Sequence, residues 1–125
     1  MAGTMVHLVI ADILAQEWAG KEIITPYGST RVVYDYFIAG NICPDGIMAR
    51  KDYVREMKKH THFRDNINDG DFHKKENIKL FHKRLEKFME NSFASYKTND
   101  ERSLYLGYWV HMLADEMFVV KIRPE

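Results

Sequence analysis

The segment LGYWVHMLADEMFVV, residues 106–120, decides the fold class of this chain. At about 100° per residue, a helix through this segment is apolar on almost every side, which is typical of a helix buried in a protein core. The same helix carries His111 and Asp115, which lie four residues apart and therefore one above the other. Because burying an unpaired carboxylate is costly, the pair needs a partner, and either a metal ion or ordinary hydrogen bonding can supply it.

Two further helices are predicted in the first third of the chain. Thr4 can cap the first, which runs to about Trp18, and proline and glycine then interrupt the helical pattern in KEIITPYG, residues 21–28. Ser29 can start the second helix, which ends near Gly40 before a turn of the composition Pro-Asp-Gly.

Two longer helices are predicted in the second half. The first of them runs from about Lys74 to Ser92, with apolar residues along one face and a ridge of lysines away from it, as expected of a surface helix. Thr98 and Glu101 fit the Ser/Thr-x-x-Glu capping box, which fixes the start of the buried helix described above.

The middle of the chain is less regular, with a short helix predicted over Arg50–Lys59 and a polar loop over Asp65–Asp71. No segment has the alternation that is typical of a strand. With 125 residues, 46% of them hydrophobic, the chain can bury a substantial core. We therefore expect an all-α fold, a single helical bundle over residues 1–125.

Composition excludes several classes of function. The formal net charge is zero, so we expect no stable nucleic-acid complex, although 12 of the 18 Lys and Arg lie between Arg50 and Lys87 against 7 Asp and Glu. That cationic third can attract phosphates or simply face solvent. Cys43 is the only cysteine, which excludes an internal disulfide and a four-cysteine zinc site. Any metal here must use histidine and carboxylate ligands.

The apolar run MVHLVIADILA, residues 5–15, is too short to span a bilayer, and His7 and Asp12 interrupt it. We expect no transmembrane segment and a cytoplasmic location. The alternative is a mature secreted form whose signal peptide has been removed.

Five residues are candidate metal ligands. His111 and Asp115 aim at one point, His7 lies in an apolar run, Asp45 follows a proline, and His62 is beside an aromatic residue. Each has an ordinary explanation, because a lone histidine on an apolar face is often a hydrogen-bonded core residue and an aspartate in Pro-Asp-Gly often forms a turn. Taken together, the five are less easily explained as unrelated core and turn residues.

Four motifs carry a resemblance to a known family. MVHLVIADI, FIAGNICPD, THF and LGYWVHMLADEMF, in this order between residues 5 and 118, resemble the zinc-dependent phospholipase C family, which shares its helical fold and zinc cluster with the P1 and S1 nucleases. The resemblance implies a helical hydrolase of phosphoesters. Its substrate would be a phospholipid head group, a nucleotide or another phosphoester.

The resemblance also implies roles for individual residues. It implies that one zinc ion is bound by four side chains: Asp45, His62, His111 and Asp115. His7 would bind a second zinc ion, with Asp115 bridging the two, and water shared between the ions would attack phosphorus. Asp45 would act as the general base or assist it.

Two details of this assignment stay open. His60 could substitute for His62, and we prefer His62 because it directly precedes Phe63, as in the family pattern. The metal is expected to be zinc, although histidine and carboxylate ligands also suit other divalent metals.

Two departures from the family pattern bear on activity. Secreted members place a processed N-terminal residue at the zinc, whereas residues 1–6 precede His7 here. Members also continue past this helix with ligands for a third zinc, whereas this chain stops at VVKIRPE, and after Asp115 only Glu116 and Glu125 are acidic. The pattern indicates a C-terminally truncated or reduced member that holds one to two ions.

Two other classes of function are alternatives. One is a helical scaffold or interaction domain that retains a structural metal but has no turnover. The other is a phosphohydrolase of the HD type, which needs adjacent histidine and aspartate, and no such dipeptide occurs. Haem or di-iron function is poorly supported because the sequence has no Glu-x-x-His motif.

Overall fold

A computed structural model describes residues 4–49, 51–67, 72 and 74–117. Its elements follow in chain order: α1 (Thr4–Trp18), β1 (Glu22–Thr25), β2 (Gly28–Arg31), α2 (Tyr34–Ile42), a 3-10 helix (Cys43–Ala49), α3 (Arg55–Thr61), α4 (Lys75–Ser95) and α5 (Asn99–Met117). Helices make up most of the described residues, so the expected all-α class is confirmed. The single domain over residues 1–125 stays a prediction.

The predicted helices are largely present, with shifted ends. The start of α5 has the expected cap, since the Thr98 hydroxyl oxygen accepts the Glu101 N–H at 3.1 Å and the hydroxyl group donates to the Glu101 carboxylate at 2.8 Å. The short middle helix begins at Arg55, later than predicted. Three predicted parts lie outside the described residues: Arg50, residues 68–71 of the polar loop, and residues 118–120 of the segment quoted first.

The region before α2 was predicted wrongly, because it forms a hairpin rather than the start of a helix. β1 and β2 pair antiparallel, with Glu22 opposite Arg31 and Thr25 opposite Gly28. The turn is held by the Thr25 hydroxyl, which accepts the Tyr27 N–H at 3.1 Å and donates to the Gly28 carbonyl at 2.7 Å. These strands have four residues each, too few for an alternating pattern to stand out in the sequence.

α5 lies between two groups of buried apolar side chains. The larger packs α4 against α5 and consists of Ile67, Phe72, Phe81, Leu85, Met89, Phe93 and Met112. The smaller packs α1, α2 and the residue that follows β2 against α5, and consists of Ala15, Val32, Phe37, Leu106 and Val110. The burial of α5 expected from its sequence is therefore present, and the lysine ridge of α4 is exposed as predicted.

α2 and α5 pack with their backbones in direct contact. A Cβ atom on Gly40 would lie 1.9 Å from the Leu104 carbonyl oxygen, and one on Gly107 would lie 2.2 Å from the Phe37 carbonyl oxygen. Both distances are far inside van der Waals contact, so this approach requires glycine at both positions. The crossing brings the C-terminal carbonyls of α2 next to the side chains of α5.

No helix among the described residues combines the length and the apolar character needed to cross a bilayer.

Replacing Gly107 with alanine should force α2 and α5 apart. We expect a loss of about 3 kcal/mol in the free energy of unfolding, at the upper end of the usual cost of overpacking, measured by urea denaturation. Gly46→Ala is the matched control, because nothing lies within 4 Å of the position of its Cβ atom. We expect that control to change stability by less than about 0.5 kcal/mol. Equal stability of the two variants would contradict the backbone contact.

Candidate metal centre

α5 carries His111 and Asp115 into the interior, where both are buried. His111 Nδ1 donates to the Asn41 carbonyl oxygen at 2.6 Å. That carbonyl is in the last turn of α2, where carbonyl groups lack partners within the helix. Because Nδ1 carries the proton in this bond, Nε2 of the neutral ring presents a lone pair to the site.

His62 reaches the site from the C-terminal end of α3. Its Nδ1 atom donates to the Lys58 carbonyl oxygen at 2.8 Å, so its Nε2 atom also presents a lone pair. The helix ends in a Schellman motif, in which the Phe63 N–H bonds to the His60 carbonyl at 3.1 Å and the Arg64 N–H to the Lys59 carbonyl at 2.7 Å. Phe63 takes the left-handed conformation that glycine usually supplies there, with φ at 60°.

Side chains from three elements fix the end of α3 in place. The Thr61 hydroxyl donates to the Pro44 carbonyl at 2.9 Å, and the Tyr108 hydroxyl donates to the Thr61 carbonyl. Arg84 on α4 donates to the Phe63 carbonyl at 2.9 Å. These bonds place His62 beside the residue that follows Pro44, which is Asp45.

Asp45 lies in the 3-10 helix with its Oδ1 atom directed at the two histidines. Oδ1 is 2.9 Å from His62 Nε2 and 3.8 Å from His111 Nε2, and Lys58 Nζ approaches the same oxygen at 3.9 Å. Burial raises the pKa of the Asp45 carboxyl, but the nearby His62, His111 and Lys58 outweigh burial and hold the pKa below its usual value. The carboxylate is therefore ionised.

Asp115 presents one oxygen to each side of the site. Its Oδ1 atom is 2.9 Å from His7 Nε2, while its Oδ2 atom is 3.4 Å from His111 Nε2 and 3.7 Å from His62 Nε2. The His7 ring stacks on the His111 ring with centroids 3.6 Å apart. Burial raises the pKa of the Asp115 carboxyl, but contacts with His111 and His7 more than offset this and hold the pKa well below its usual value.

The geometry suits a tetrahedral metal ion. Five distances among Asp45 Oδ1, His62 Nε2, His111 Nε2 and Asp115 Oδ2 fall between 2.9 and 3.8 Å. Ligand atoms about 2.0–2.1 Å from one zinc ion at tetrahedral angles lie about 3.3 Å from one another. Five of the six pairs of ligand atoms are near this spacing: Asp45, His62 and His111 form one group with ligand atoms within 4.8 Å of one another, and Asp115 Oδ2 lies within 3.7 Å of both histidines, so all four side chains can contribute to one zinc site.

The protonation states of the ligand atoms also point to a bound cation. With His62 and His111 protonated on Nδ1 as described above, Asp45 Oδ1 and Asp115 Oδ2 are buried and accept no hydrogen bond from the described residues. The two histidine Nε2 atoms, 3.2 Å apart, both present lone pairs when the rings are neutral. Four electron-rich atoms thus face one another, and either an added proton or a bound cation must offset their repulsion.

The five predicted ligands come together, and no more than 9% of any of these side chains is exposed. They form two overlapping groups, Asp45 with His62 and His111, and His7 with His111 and Asp115, each with its ligand atoms within 4.8 Å of one another. Because both groups use His111, two ions cannot both have it as a ligand.

His60 and Glu116 are separate from this cluster in the described structure. His60 is exposed and pairs with Asp65 at 2.8 Å, so the structure places His62 rather than His60 next to Asp45. Glu116 pairs with His82 on α4. Sequence reasoning missed Lys58, although its spacing of four residues from His62 puts both side chains on one face of α3.

A sequence profile of the family described as zinc-dependent phospholipase C matches residues 6–116. The chain belongs to the zinc-dependent phospholipase C family. No curated protein and no solved structure gives a significant match. Membership supports a metal-dependent phosphoesterase as the general class of function, with zinc as the metal for which the family is named.

Two tyrosines of α5, Tyr105 and Tyr108, should ionise at a higher pH than a free tyrosine. Burial, followed by the neighbouring Tyr96, raises the pKa of Tyr105 to about 12, and burial raises the pKa of Tyr108 above its usual value. A raised pKa in the folded state means that the folded protein binds the proton more tightly than the unfolded chain does. We therefore expect a stability contribution that is complete below about pH 10 and is lost as the pH rises toward 12 and beyond.

Ultraviolet absorbance during an alkaline titration measures this effect. Tyr108→Phe should remove one late-ionising group from the titration curve. Ionisation of all seven tyrosines near pH 10 in folded protein would contradict the buried environment described here.

Proposed function

We propose that this protein hydrolyses phosphoesters with zinc held by Asp45, His62, His111 and Asp115. The observation that carries the proposal is the cluster of four facing acceptor atoms, two of them carboxylate oxygens that accept no hydrogen bond from the described residues. Zinc would supply Lewis-acid activation of water for attack on phosphorus. The protein residues would supply the ligand geometry and a place for the proton.

We assign the general-base role to Asp45. It is the most exposed of the five ligands, with 9% of its side chain exposed against 3% or less for the others, so we expect substrate and water to approach the site from its side. Its lowered pKa keeps the carboxylate ionised, which makes it a proton acceptor but a weak base, so we expect it to assist the zinc-activated water rather than to deprotonate it alone.

A second ion would use His7 and Asp115, with Asp115 as the bridge. Once His111 serves the first ion, the second retains only two described protein ligands, His7 and Asp115. We therefore expect one strong and one weak binding step. The tightly bound ion would stabilise the folded protein, whereas occupancy of the weak site would depend on the zinc concentration.

The substrate class that we propose is a phospholipid head group or a nucleotide. The expected cytoplasmic location and the phosphodiesterase activity also stay predictions. The zero net charge gives no basis for expecting a stable complex with nucleic acid.

A structural metal in a scaffold domain is the second candidate. It is favoured by the burial of the ligands, because structural zinc sites are closed whereas catalytic sites keep an open position. Zinc binding without turnover would distinguish this candidate from the enzyme.

Zinc should stabilise the fold, because the site does not exist in the unfolded chain. At a free zinc concentration 100 times the dissociation constant, we expect a gain of about 2.7 kcal/mol in the free energy of unfolding. Chelation should reverse the gain in a thermal melt. His62→Ala and His111→Ala should abolish strong zinc binding, measured by calorimetry, and should make chelator ineffective.

His60→Ala is the matched control for this experiment. It removes an exposed histidine two residues from His62, so zinc affinity should stay within about threefold of the wild type, given the small effects of surface substitutions. If His60→Ala lost zinc while His62→Ala kept it, the proposed ligand set would be wrong.

Zinc-loaded protein should hydrolyse bis-p-nitrophenyl phosphate, and a panel of phospholipids and nucleotides should identify the substrate class. Asp115→Asn keeps the shape but removes the ligand charge, so turnover should fall by on the order of a hundredfold or more. His7→Ala should reduce turnover more than it reduces total zinc bound. The control is Asp12→Asn, which changes an α1 aspartate bonded to Tyr34 and Gln16 and should leave turnover unchanged. If the zinc-loaded wild type hydrolysed none of these substrates, the enzyme proposal would be contradicted and the scaffold domain with a structural metal would remain.

A further inference from the structure

Lys58 lies at the edge of the metal centre, in a position that the zinc ligands do not explain. Its backbone carbonyl orients His62, and its side chain turns toward Asp45, where Nζ lies 3.9 Å from Oδ1. The side chain is 22% exposed, more than twice the exposure of Asp45. The Lys58 side chain is therefore both close to the Asp45 carboxylate and accessible from solvent.

The formal charge of the zinc-bound site indicates a role for the Lys58 ammonium group. One zinc ion held by Asp45 and Asp115 leaves a centre with no formal charge. A phosphate group arriving there brings one or two negative charges into a largely buried space. Charge-assisted hydrogen bonds from a nearby ammonium group are the usual way to stabilise phosphate oxygens.

We propose that Lys58 binds a non-bridging oxygen of the substrate's phosphate group. The inference rests on the proposed function, since it takes zinc at Asp45 as its starting point. Zinc held by Asp45 would offset the charge of that carboxylate and leave the Lys58 ammonium group available to an anion. Because Asp45 is the most exposed ligand, an anion approaching from that side meets Lys58.

The positions of the lysines around α3 make this arrangement specific to Lys58. Lys58 and His62 are four residues apart and share a face of the helix, toward Asp45. Lys59 is rotated by about 100° and lines a different surface cleft with Glu56, Asp65 and Asn66. Lys59 is therefore a matched control of the same charge on the same helix.

The test measures binding of inorganic phosphate by calorimetry to protein loaded with one equivalent of zinc. Lys58→Gln should weaken phosphate binding by on the order of tenfold, as expected for loss of a charge-assisted hydrogen bond. Lys58→Arg should retain most of the affinity, and Lys59→Gln should stay within about twofold of the wild type. With a phosphodiester substrate, Lys58→Gln should raise KM or lower kcat/KM without loss of zinc.

Zinc uptake and the melting temperature of each variant separate the outcomes. Loss of phosphate affinity in Lys58→Gln with normal zinc uptake and rescue by Lys58→Arg supports the inference. Equal phosphate affinity in Lys58→Gln and Lys59→Gln, with zinc bound in both, overturns it and leaves the proposed function standing. A wild type that takes up no zinc contradicts the proposed function and this inference together.

Discussion

The backbone contact between α2 and α5 determines where everything else in the site can lie. With Gly40 and Gly107 at the crossing, the Asn41 carbonyl comes close enough to accept the His111 proton at 2.6 Å. That single bond fixes both the direction of the imidazole ring and which of its nitrogen atoms is free. A wider crossing would leave the carbonyl without a partner and His111 free to rotate, and the lone pairs of the site would no longer converge.

The metal centre and the fold depend on each other through charge. Five ionisable side chains are gathered in the interior, with carboxylate oxygens and imidazole nitrogens directed at the same space. Such a group is unfavourable in an apolar core unless a cation balances it. Backbone carbonyl groups near helix ends hold two of the three imidazole rings in place: the Asn41 carbonyl holds His111 and the Lys58 carbonyl holds His62. Outer partners of this kind are what usually orient metal-binding histidines.

The sequence was sufficient to predict features that depend on a long pattern within a single helix. The buried character of α5, its Thr98 cap and the exposed lysines of α4 all follow from periodicity within one helix. The sequence did not predict the hairpin of residues 22–31, because strands of four residues carry too little pattern and the turn that joins them is held by one threonine side chain. The convergence of the five predicted ligands came from recognising ordered motifs, since no local rule brings His7 to Asp115. Lys58 was missed because its significance depends on Asp45, a residue brought to it by tertiary structure.

The left-handed conformation of Phe63 has a consequence for the order in which the protein folds. A phenylalanine there costs about 1–2 kcal/mol relative to a right-handed conformation, and a helix of seven residues is not stable alone. Packing of the Phe63 ring against Phe88 and Tyr108 offsets that cost. We therefore expect the end of α3 to become ordered only after α4 and α5 have docked. His62 would then be among the last of the five residues to arrive, and the metal centre would close in a late step of folding.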